Sequence, residues 1–256
     1  MSSHLDAVNA RFDPRAQAYL SSTVHAAGPD LQCARELLAG LDPRPTRALD
    51  LGTGAGHLAY AMAEFAQSVI AFDASEPMLE VVRRTAAERG LGGLRVQAGD
   101  VHDLPFADSS FELVATRYSA HHWTKLEKAM AELRRVLRPG GHLLVIDLEG
   151  SEQALVDTHL QCIELLRDTS HVRNRTRTQW LGLLQGLGME LLHEQRWPTR
   201  LQFEAWVQRM RTPETMVRAI RELMQGAPRE VREALRVEPD GSFTPSTGLW
   251  WARRPA

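Results

Sequence analysis

The chain has 256 residues, with 30 basic and 32 acidic side chains, a formal net charge of −2 and 43% hydrophobic residues. This length suffices for one large domain with its own core. The near-neutral charge argues against obligate nucleic-acid binding, because phosphate backbones attract strongly basic proteins. No apolar run approaches the roughly 20 residues that a membrane span needs. Two cysteines are too few for a disulfide framework or a structural zinc site, so we expect no metal and a reduced, cytoplasmic setting.

Short apolar runs alternate with amphipathic segments through the middle of the chain, which is typical of a parallel sheet covered by helices. Strands are predicted at 48–51, 69–72, 94–98, 111–116, 142–148, 190–196 and 248–253. Ser75 is a predicted N-cap, and Thr124 with Glu127 forms a capping-box pattern. Residues 202–236 are predicted to be mostly helical, either as ordinary core or as a cover for an apolar substrate.

A glycine-rich segment, 50–56 (DLGTGAG), follows the first predicted strand and precedes a helix. Glycine loops in this position bind ligands at the carboxyl edge of a parallel sheet. Gly52 and Gly54 let the backbone turn sharply and approach a ligand closely. The segment is not a dinucleotide fingerprint, because its third glycine comes one residue early, at Gly56, and it is not a P-loop, because no Gly-Lys-Ser/Thr follows.

Acidic residues follow the next two predicted strands. Asp73 comes about 20 residues after the glycine loop, where a carboxylate can accept hydrogen bonds from ribose hydroxyls. Asp100 follows the third predicted strand, where its carboxylate can accept a hydrogen bond from an exocyclic amine. Either residue alone could be an ordinary strand-end carboxylate. Together with the glycine loop, at successive strand ends, they predict a ligand-binding edge.

Four segments together resemble the class I S-adenosylmethionine-dependent methyltransferases: 48–56 (ALDLGTGAG), 72–79 (FDASEPML), 99–106 (GDVHDLPF) and 137–141 (LRPGG). Within that class they are similar to the ubiquinone and menaquinone C-methyltransferases and their small-molecule relatives. Residues 167–174 (RDTSHVRN) and 206–214 (WVQRMRTPE) resemble the YafE-type subgroup, which has no settled substrate.

The resemblance implies an α/β fold: a Rossmann-like, doubly wound, mostly parallel seven-stranded sheet with helices on both faces and helical cap elements. It implies one domain, with a helical cap at 1–42 and a cofactor-binding core at 43–150. The C-terminal half, 151–256, would carry a helical insertion at about 202–236 before the last strand. Whether the protein forms a homodimer is left open by the sequence.

The cofactor implied by the resemblance is S-adenosyl-L-methionine, with S-adenosyl-L-homocysteine as product. It would contact Tyr19, Asp50, Gly52, Thr53, Gly54, Asp73, Ala74, Ser75, Met78, Gly99, Asp100, Val101, Thr116 and Arg117. Asp50 would hold the amino group of the methionine part, Asp73 the ribose, and Asp100 with the backbone of Val101 the adenine edge. Tyr19 would close over the cofactor or, alternatively, pack within an N-terminal helix. Thr116 and Arg117 end the fourth predicted strand and would lie near the methyl sulfonium.

The loop after the fourth strand, 117–123 (RYSAHHW), carries the candidates for chemistry on the methyl acceptor. His121 or His122 could act as a general base, which contributes about 10²–10⁴-fold where the nucleophile carries a proton. Arg117 or Tyr118 could contact the acceptor. The alternative is that one histidine packs beneath the loop and the other is exposed to solvent.

The Asn/Asp-Pro-Pro-Tyr/Phe motif of relatives that methylate planar amino nitrogens is absent, so a carbon or oxygen of a small-molecule acceptor is expected. Two other functions stay open. One is an RNA-modifying methyltransferase that uses the basic residues after 165, among them His171, Arg173, Arg175 and Arg177. The other is a non-catalytic S-adenosylmethionine-binding protein.

Overall fold

A seven-stranded sheet forms the centre of the protein, as described by a computed structural model for residues 3–13 and 28–256. Its strand order is β3-β2-β1-β4-β5-β7-β6. The strands are β1 (Arg47–Leu51), β2 (Ser68–Asp73), β3 (Leu94–Ala98), β4 (Phe111–Arg117), β5 (Leu137–Leu148), β6 (Glu190–Pro198) and β7 (Ser246–Arg253). β7 runs antiparallel to both of its neighbours, and the pairs from β3 to β5 are parallel. The predicted α/β sheet is therefore confirmed.

The described residues also form ten α-helices. They are α1 (His4–Phe12), α2 (Pro29–Ala39), α3 (His57–Ala63), α4 (Glu76–Glu88), α5 (Leu126–Val136), α6 (Ala154–Arg167), α7 (Arg177–Gly186), α8 (Phe203–Arg209), α9 (Glu214–Gln225) and α10 (Arg229–Ala234). No helix among the described residues is both long and apolar enough to cross a membrane.

Apolar packing covers the sheet on two faces. One cluster contains side chains of α2, α3 and α4, such as Leu31, Leu58 and Val82. The other contains side chains of α5 and α7, such as Leu133 and Trp180. Both faces of the central strands are therefore buried, which explains why apolar residues in β1 and β4 do not simply alternate with polar ones.

A third apolar cluster joins α6 to the helices of the predicted stretch 202–236. Leu160 and Ile163 of α6 pack in this cluster with Trp206, Ile220 and Met224, all of which are buried. Most of the apolar stripe of this stretch is therefore ordinary core, although α8 also reaches a cavity described below.

Two predicted helix starts have different outcomes. Ser75 is the N-cap of α4, and its Oγ accepts a hydrogen bond from the Met78 N–H at 3.2 Å, as predicted. The prediction of a capping box formed by Thr124 and Glu127 is wrong. The N-cap of α5 is Lys125, which makes no side-chain hydrogen bond to the helix. The helix begins one residue later than the pattern requires, which places Glu127 at the second helical position instead of the third.

Candidate functional site

A cavity of about 320 Å³ opens at the carboxyl ends of β1 to β4, with α1 along one side. Most of the predicted site residues line it: Asp50, Gly52, Thr53, Gly54, Asp73, Ala74, Ser75, Met78, Gly99, Asp100, Val101, Arg117 and His122. Neither Thr116, which is buried in β4, nor His121 is among the described residues that line this cavity. Tyr19 lies outside the described residues.

The glycine loop forms one wall of this cavity because its backbone adopts conformations that other residues avoid. Gly52 has φ +64°, and a Cβ at this position would lie 1.8 Å from Oγ of Ser119. Gly54 has φ +52°, and a Cβ there would meet no atom within 4 Å. Gly52 is therefore required by close packing, whereas Gly54 leaves open space beside the backbone.

Asp50 is buried at the end of β1 with one carboxylate oxygen unsatisfied. Its Oδ2 accepts a hydrogen bond from Oγ1 of Thr53 at 2.7 Å, and its Oδ1 has no hydrogen-bond partner among the described residues. Burial raises the pKa of this carboxyl from 3.8 to about 7. A cationic or hydrogen-bond-donating group in the cavity would satisfy the orphaned oxygen and favour the ionised form.

Asp73 connects the glycine loop to the start of α4. Its Oδ2 accepts from the Gly54 N–H at 2.8 Å and its Oδ1 from the Ser75 N–H at 2.9 Å. Burial raises the pKa of this carboxyl, although the backbone hydrogen bonds oppose the shift. Each carboxylate oxygen can accept a further hydrogen bond, so Asp73 can still bind two hydroxyl groups of a ligand.

Asp100 follows β3 and is held by the residue two positions later. Its Oδ1 accepts from the His102 N–H at 2.9 Å and lies 2.6 Å from the ring Nδ1. Partial burial opposes ionisation, but these two hydrogen bonds outweigh it and lower the pKa of the carboxyl. An ionised acceptor therefore stands beside Val101 at the third strand end.

His121 forms a buried pair with an acidic residue at the end of β5. Its Nδ1 lies 2.6 Å from Oδ1 of Asp147, whose side chain is 2% exposed. The His121 N–H also donates to Oδ2 of Asp147 at 3.1 Å. Burial disfavours the charged imidazolium, but the Asp147 carboxylate outweighs it and raises the pKa of His121. Because Nδ1 is engaged, Nε2 is the ring atom left for proton transfer.

His122 lies next to this pair and has the opposite electrostatic character. The two ring centroids are 4.3 Å apart, and the His122 Nδ1 lies 2.9 Å from the backbone oxygen of Ser170. Burial and the neighbouring charge of His121 lower its pKa to about 4, so it is neutral at pH 7. Both rings are at least partly buried, so the alternative that one histidine is solvent-exposed is wrong.

A second cavity, of about 70 Å³, lies on the other side of these histidines. It shares Phe12, Tyr118 and His122 with the first cavity, and His121 also lines it. Its remaining wall comes from the end of β5, from α6 and α8, and from the segments after α6 and β6. The histidine pair therefore stands where the two cavities meet.

Arg117 lines the first cavity, but its charge is neutralised within the protein. Its Nε donates to Oδ2 of Asp30 at 2.6 Å, and both side chains are about 5% exposed or less. This pair connects the end of β4 to the first turn of α2. It gives Arg117 a structural role beside any contact with a ligand.

Three of the four residues in the basic cluster predicted after 165 are paired with acidic side chains or buried. Arg173 pairs with Asp157 at 2.6 Å and Arg177 with Glu194 at 2.5 Å. His171 is buried, and burial lowers its pKa to about 2. These pairings argue against the RNA-binding surface that the sequence left open.

Sequence reasoning missed four residues of the site: Asp30, Asp147, Glu164 and Asn174. Asp147 could have been found, because it ends an apolar strand at the same sheet edge as Asp73. Glu164 interrupts the apolar stripe of α6, which is a weaker signal. The partner of Asp30 is 87 residues away, and no local pattern indicates it. Among the described residues, no group of three or more His, Cys, Asp or Glu side chains could hold a metal ion.

Comparison with known proteins identifies the family. A family model described as a methyltransferase domain matches residues 49–145. The uncharacterized methyltransferase YcgJ of Bacillus subtilis is 34% identical over 209 residues, 79% of each protein. Its crystal structure superposes with a TM-score of 0.83 and covers 89% of this chain and 98% of YcgJ. The chain belongs to the S-adenosylmethionine-dependent methyltransferases.

Two further relatives support the family resemblance of this methyltransferase. The uncharacterized protein YafE of Escherichia coli is 42% identical over 195 residues, which are 75% of this chain and 93% of YafE. A demethylmenaquinone methyltransferase of Thermus thermophilus is 40% identical over 123 residues, 47% of this chain and 56% of that protein. The resemblance predicted from the sequence is therefore confirmed.

The first cavity of the methyltransferase fits S-adenosylmethionine in two respects. The unsatisfied Oδ1 of Asp50 suits the cationic amino group of the methionine part. The open side of Gly54 leaves room for a ligand against the backbone. The residue types at the three strand ends thus match the chemical groups of the cofactor.

Proposed function

We propose that this methyltransferase transfers a methyl group from S-adenosylmethionine to an oxygen or carbon of a small-molecule acceptor. One observation carries the proposal: the buried His121–Asp147 pair stands where a cofactor-sized cavity meets a smaller cavity. Residues 43–150 would hold the cofactor. Residues 151–256, with Phe12 of α1, would enclose the acceptor, and α1 also borders the cofactor cavity.

The cofactor roles follow from the geometry of the larger cavity. Oδ1 of Asp50 would bind the amino group of the methionine part, and Asp73 the ribose hydroxyls. Asp100 and the backbone of Val101 would accept and donate hydrogen bonds at the adenine edge. When bound, the cofactor supplies an electrophilic methyl group on a sulfonium. The protein mainly has to align the acceptor atom with that methyl, which can supply about 7–11 kcal/mol.

His121 is the better candidate for the general base. Asp147 holds Nδ1 and orients the ring, so Nε2 is positioned to take a proton from an acceptor in the smaller cavity. His122 is a weaker base because burial and His121 lower its pKa to about 4. It lines both cavities and would instead position the acceptor.

A small acceptor is favoured over RNA by the size and the charge of the site. The smaller cavity, about 70 Å³, has room for roughly five to seven water-sized groups. Arg173 and Arg177, which would face a nucleic acid, are engaged with acidic side chains. Because these two arginines are already paired, they would contribute less to the electrostatic attraction that supplies most of the affinity for RNA.

The proposal can be tested by following a radiolabelled methyl group. The protein is incubated with labelled S-adenosylmethionine and either a low-molecular-mass filtrate of bacterial extract or total RNA. We expect label in the filtrate, none in RNA, and none with Asp73→Ala. Asp103→Asn, an exposed acid near the same sheet edge, should label as the wild type does. Label in RNA alone, or equal labelling by Asp73→Ala, would contradict the proposal.

A further inference from the structure

Two residues that line the smaller cavity carry buried polar atoms that the protein itself does not satisfy. Glu164, on α6, is 4% exposed, and its Oε1 has no hydrogen-bond partner among the described residues. Asn174, in the segment between α6 and α7, is 1% exposed, and neither its Oδ1 nor its Nδ2 has a partner there. Each unsatisfied buried group costs about 1–3 kcal/mol, so a folded protein seldom keeps several in one place without a ligand or ordered water to satisfy them.

The position of Asn174 is fixed by hydrogen bonds to its backbone. Its N–H donates to Oε1 of Gln161 at 3.0 Å, and its carbonyl oxygen accepts from Nε2 of the same side chain at 2.8 Å. The amide of Asn174 is therefore held at the cavity without being used by the protein. Glu164 makes a loose contact with Arg167, in which Oε2 lies 3.6 Å from Nη1.

Much of the remaining wall is aromatic. Phe12, Tyr118 and Trp206 line the cavity together with the two histidines, and the other lining side chains are those of Leu148, Arg167, Asp168, Thr199, Leu201 and Arg209. The volume of about 70 Å³ and these flat walls suit a single planar ring rather than a long chain or a bulky group. Glu164, Asn174 and the base His121 all line the same small space.

We propose that the smaller cavity binds the hydroxylated aromatic ring of the acceptor, anchored by Glu164 and Asn174, with a ring hydroxyl as the methylated group. The inference rests on the proposed function, to which it adds the chemical class of the acceptor. One ring hydroxyl donates to Oε1 of Glu164, and the amide of Asn174 bonds to the same group or to a neighbouring oxygen. A second hydroxyl reaches Nε2 of His121.

The reaction balances without another reactant. The hydroxyl oxygen forms a bond to the methyl carbon, and the bond between that carbon and the sulfur breaks with both electrons left on sulfur. The hydroxyl proton goes to Nε2 of His121 and then to solvent. The products are an aryl methyl ether, S-adenosylhomocysteine and one proton.

The three dihydroxybenzenes and their dimethyl ethers are suitable probes, titrated against the full chain with saturating S-adenosylhomocysteine and observed by NMR. At least one dihydroxybenzene should bind, whereas its ether, which cannot donate a hydrogen bond, should not. Asn174→Leu and Glu164→Gln should each weaken binding about tenfold, the effect of one buried hydrogen bond. The control Glu190→Gln, on the exposed edge strand β6, should bind as the wild type does.

Thermal unfolding of the same variants separates a ligand-binding role from a structural one. Asn174→Leu removes two unsatisfied buried atoms, so its midpoint should rise by about 2–12 °C while probe binding falls. Equal binding of the ethers, unchanged probe binding in both variants, or a lower midpoint for Asn174→Leu would overturn the inference. If the wild type binds S-adenosylhomocysteine but no dihydroxybenzene, only this inference fails. If it does not bind S-adenosylhomocysteine, the proposed function fails as well.

Discussion

Nδ1 of His121 lies 2.6 Å from Oδ1 of Asp147, so the end of β5 orients a ring carried by the turn after β4. β4 and β5 are parallel neighbours, and Arg117 is paired with Ile146 in their register. The sheet therefore brings the residues that follow these two positions together at its carboxyl edge. The carboxylate fixes the ring and leaves Nε2 directed away from it, which is the arrangement that a general base requires.

Asp147→Asn should lower the pKa of His121. The carboxylate raises that pKa in the folded protein, so the pair stabilises the fold below the ordinary histidine pKa. This contribution is lost as the pH rises through the raised pKa. In Asp147→Asn that loss of stability with rising pH should disappear. NMR titration of the His121 ring checks the prediction, and an unchanged pKa in the variant would contradict it.

The affinity for S-adenosylhomocysteine should depend on the ionisation of Asp50. Its pKa is raised to about 7, and binding the cationic amino group requires the ionised form. Affinity should therefore be constant at higher pH and weaken below about pH 7, by up to about tenfold per pH unit. Calorimetric titrations on both sides of pH 7 measure this slope. Asp50→Asn should bind weakly with no such slope, and a slope that survives in this variant would exclude Asp50 as its source.

Two glycine substitutions should have different effects. Gly52→Ala combines a left-handed backbone with a collision against Ser119, so it should cost about 2–5 kcal/mol of unfolding free energy. Gly54→Ala has only the backbone strain, about 1–2 kcal/mol, and its methyl group would enter open space in the cofactor cavity. Gly54→Ala should thus lose affinity for S-adenosylhomocysteine with a smaller loss of stability. Denaturant unfolding compares the two, and equal losses would contradict the geometry.

The buried pair of Arg117 and Asp30 should show strong coupling. Arg117→Met leaves the Asp30 carboxylate buried without its partner, which should cost about 3–5 kcal/mol. The double variant Asp30→Leu/Arg117→Met removes both charges and should recover most of that loss. A double-mutant cycle by denaturant unfolding measures the coupling. If the losses of the two single variants simply add, the pair does not hold α2 to β4.

The cofactor edge could be predicted from the sequence because local patterns determine it. Strands that are buried on both faces appear as apolar runs, and the residues that end them, such as Asp50 and Asp73, must meet at one edge of a parallel sheet. Asp147 obeys the same rule at the end of β5. It went unnoticed because no glycine loop or helix cap marks that strand end.

The acceptor side could not be predicted in the same way. Asn174 comes from a segment without regular periodicity, and its unsatisfied amide is visible only once α6 and α8 are packed. The pairing of Arg173 with Asp157 likewise depends on tertiary contacts, so the basic run after 165 resembled a charged surface. The failed capping box has a smaller cause, since Lys125 rather than Thr124 precedes the first helical residue.

Thermal unfolding with S-adenosylmethionine and S-adenosylhomocysteine tests most directly whether the larger cavity binds the cofactor. At about 100 times the dissociation constant, a ligand stabilises the folded state by roughly 2.7 kcal/mol, which corresponds to a shift of roughly 5–10 °C for a protein of this size. We predict this shift for the wild type and for Asp103→Asn, and its loss in Asp73→Ala. The absence of a shift in the wild type, or an equal shift in Asp73→Ala, would contradict the assignment of this site.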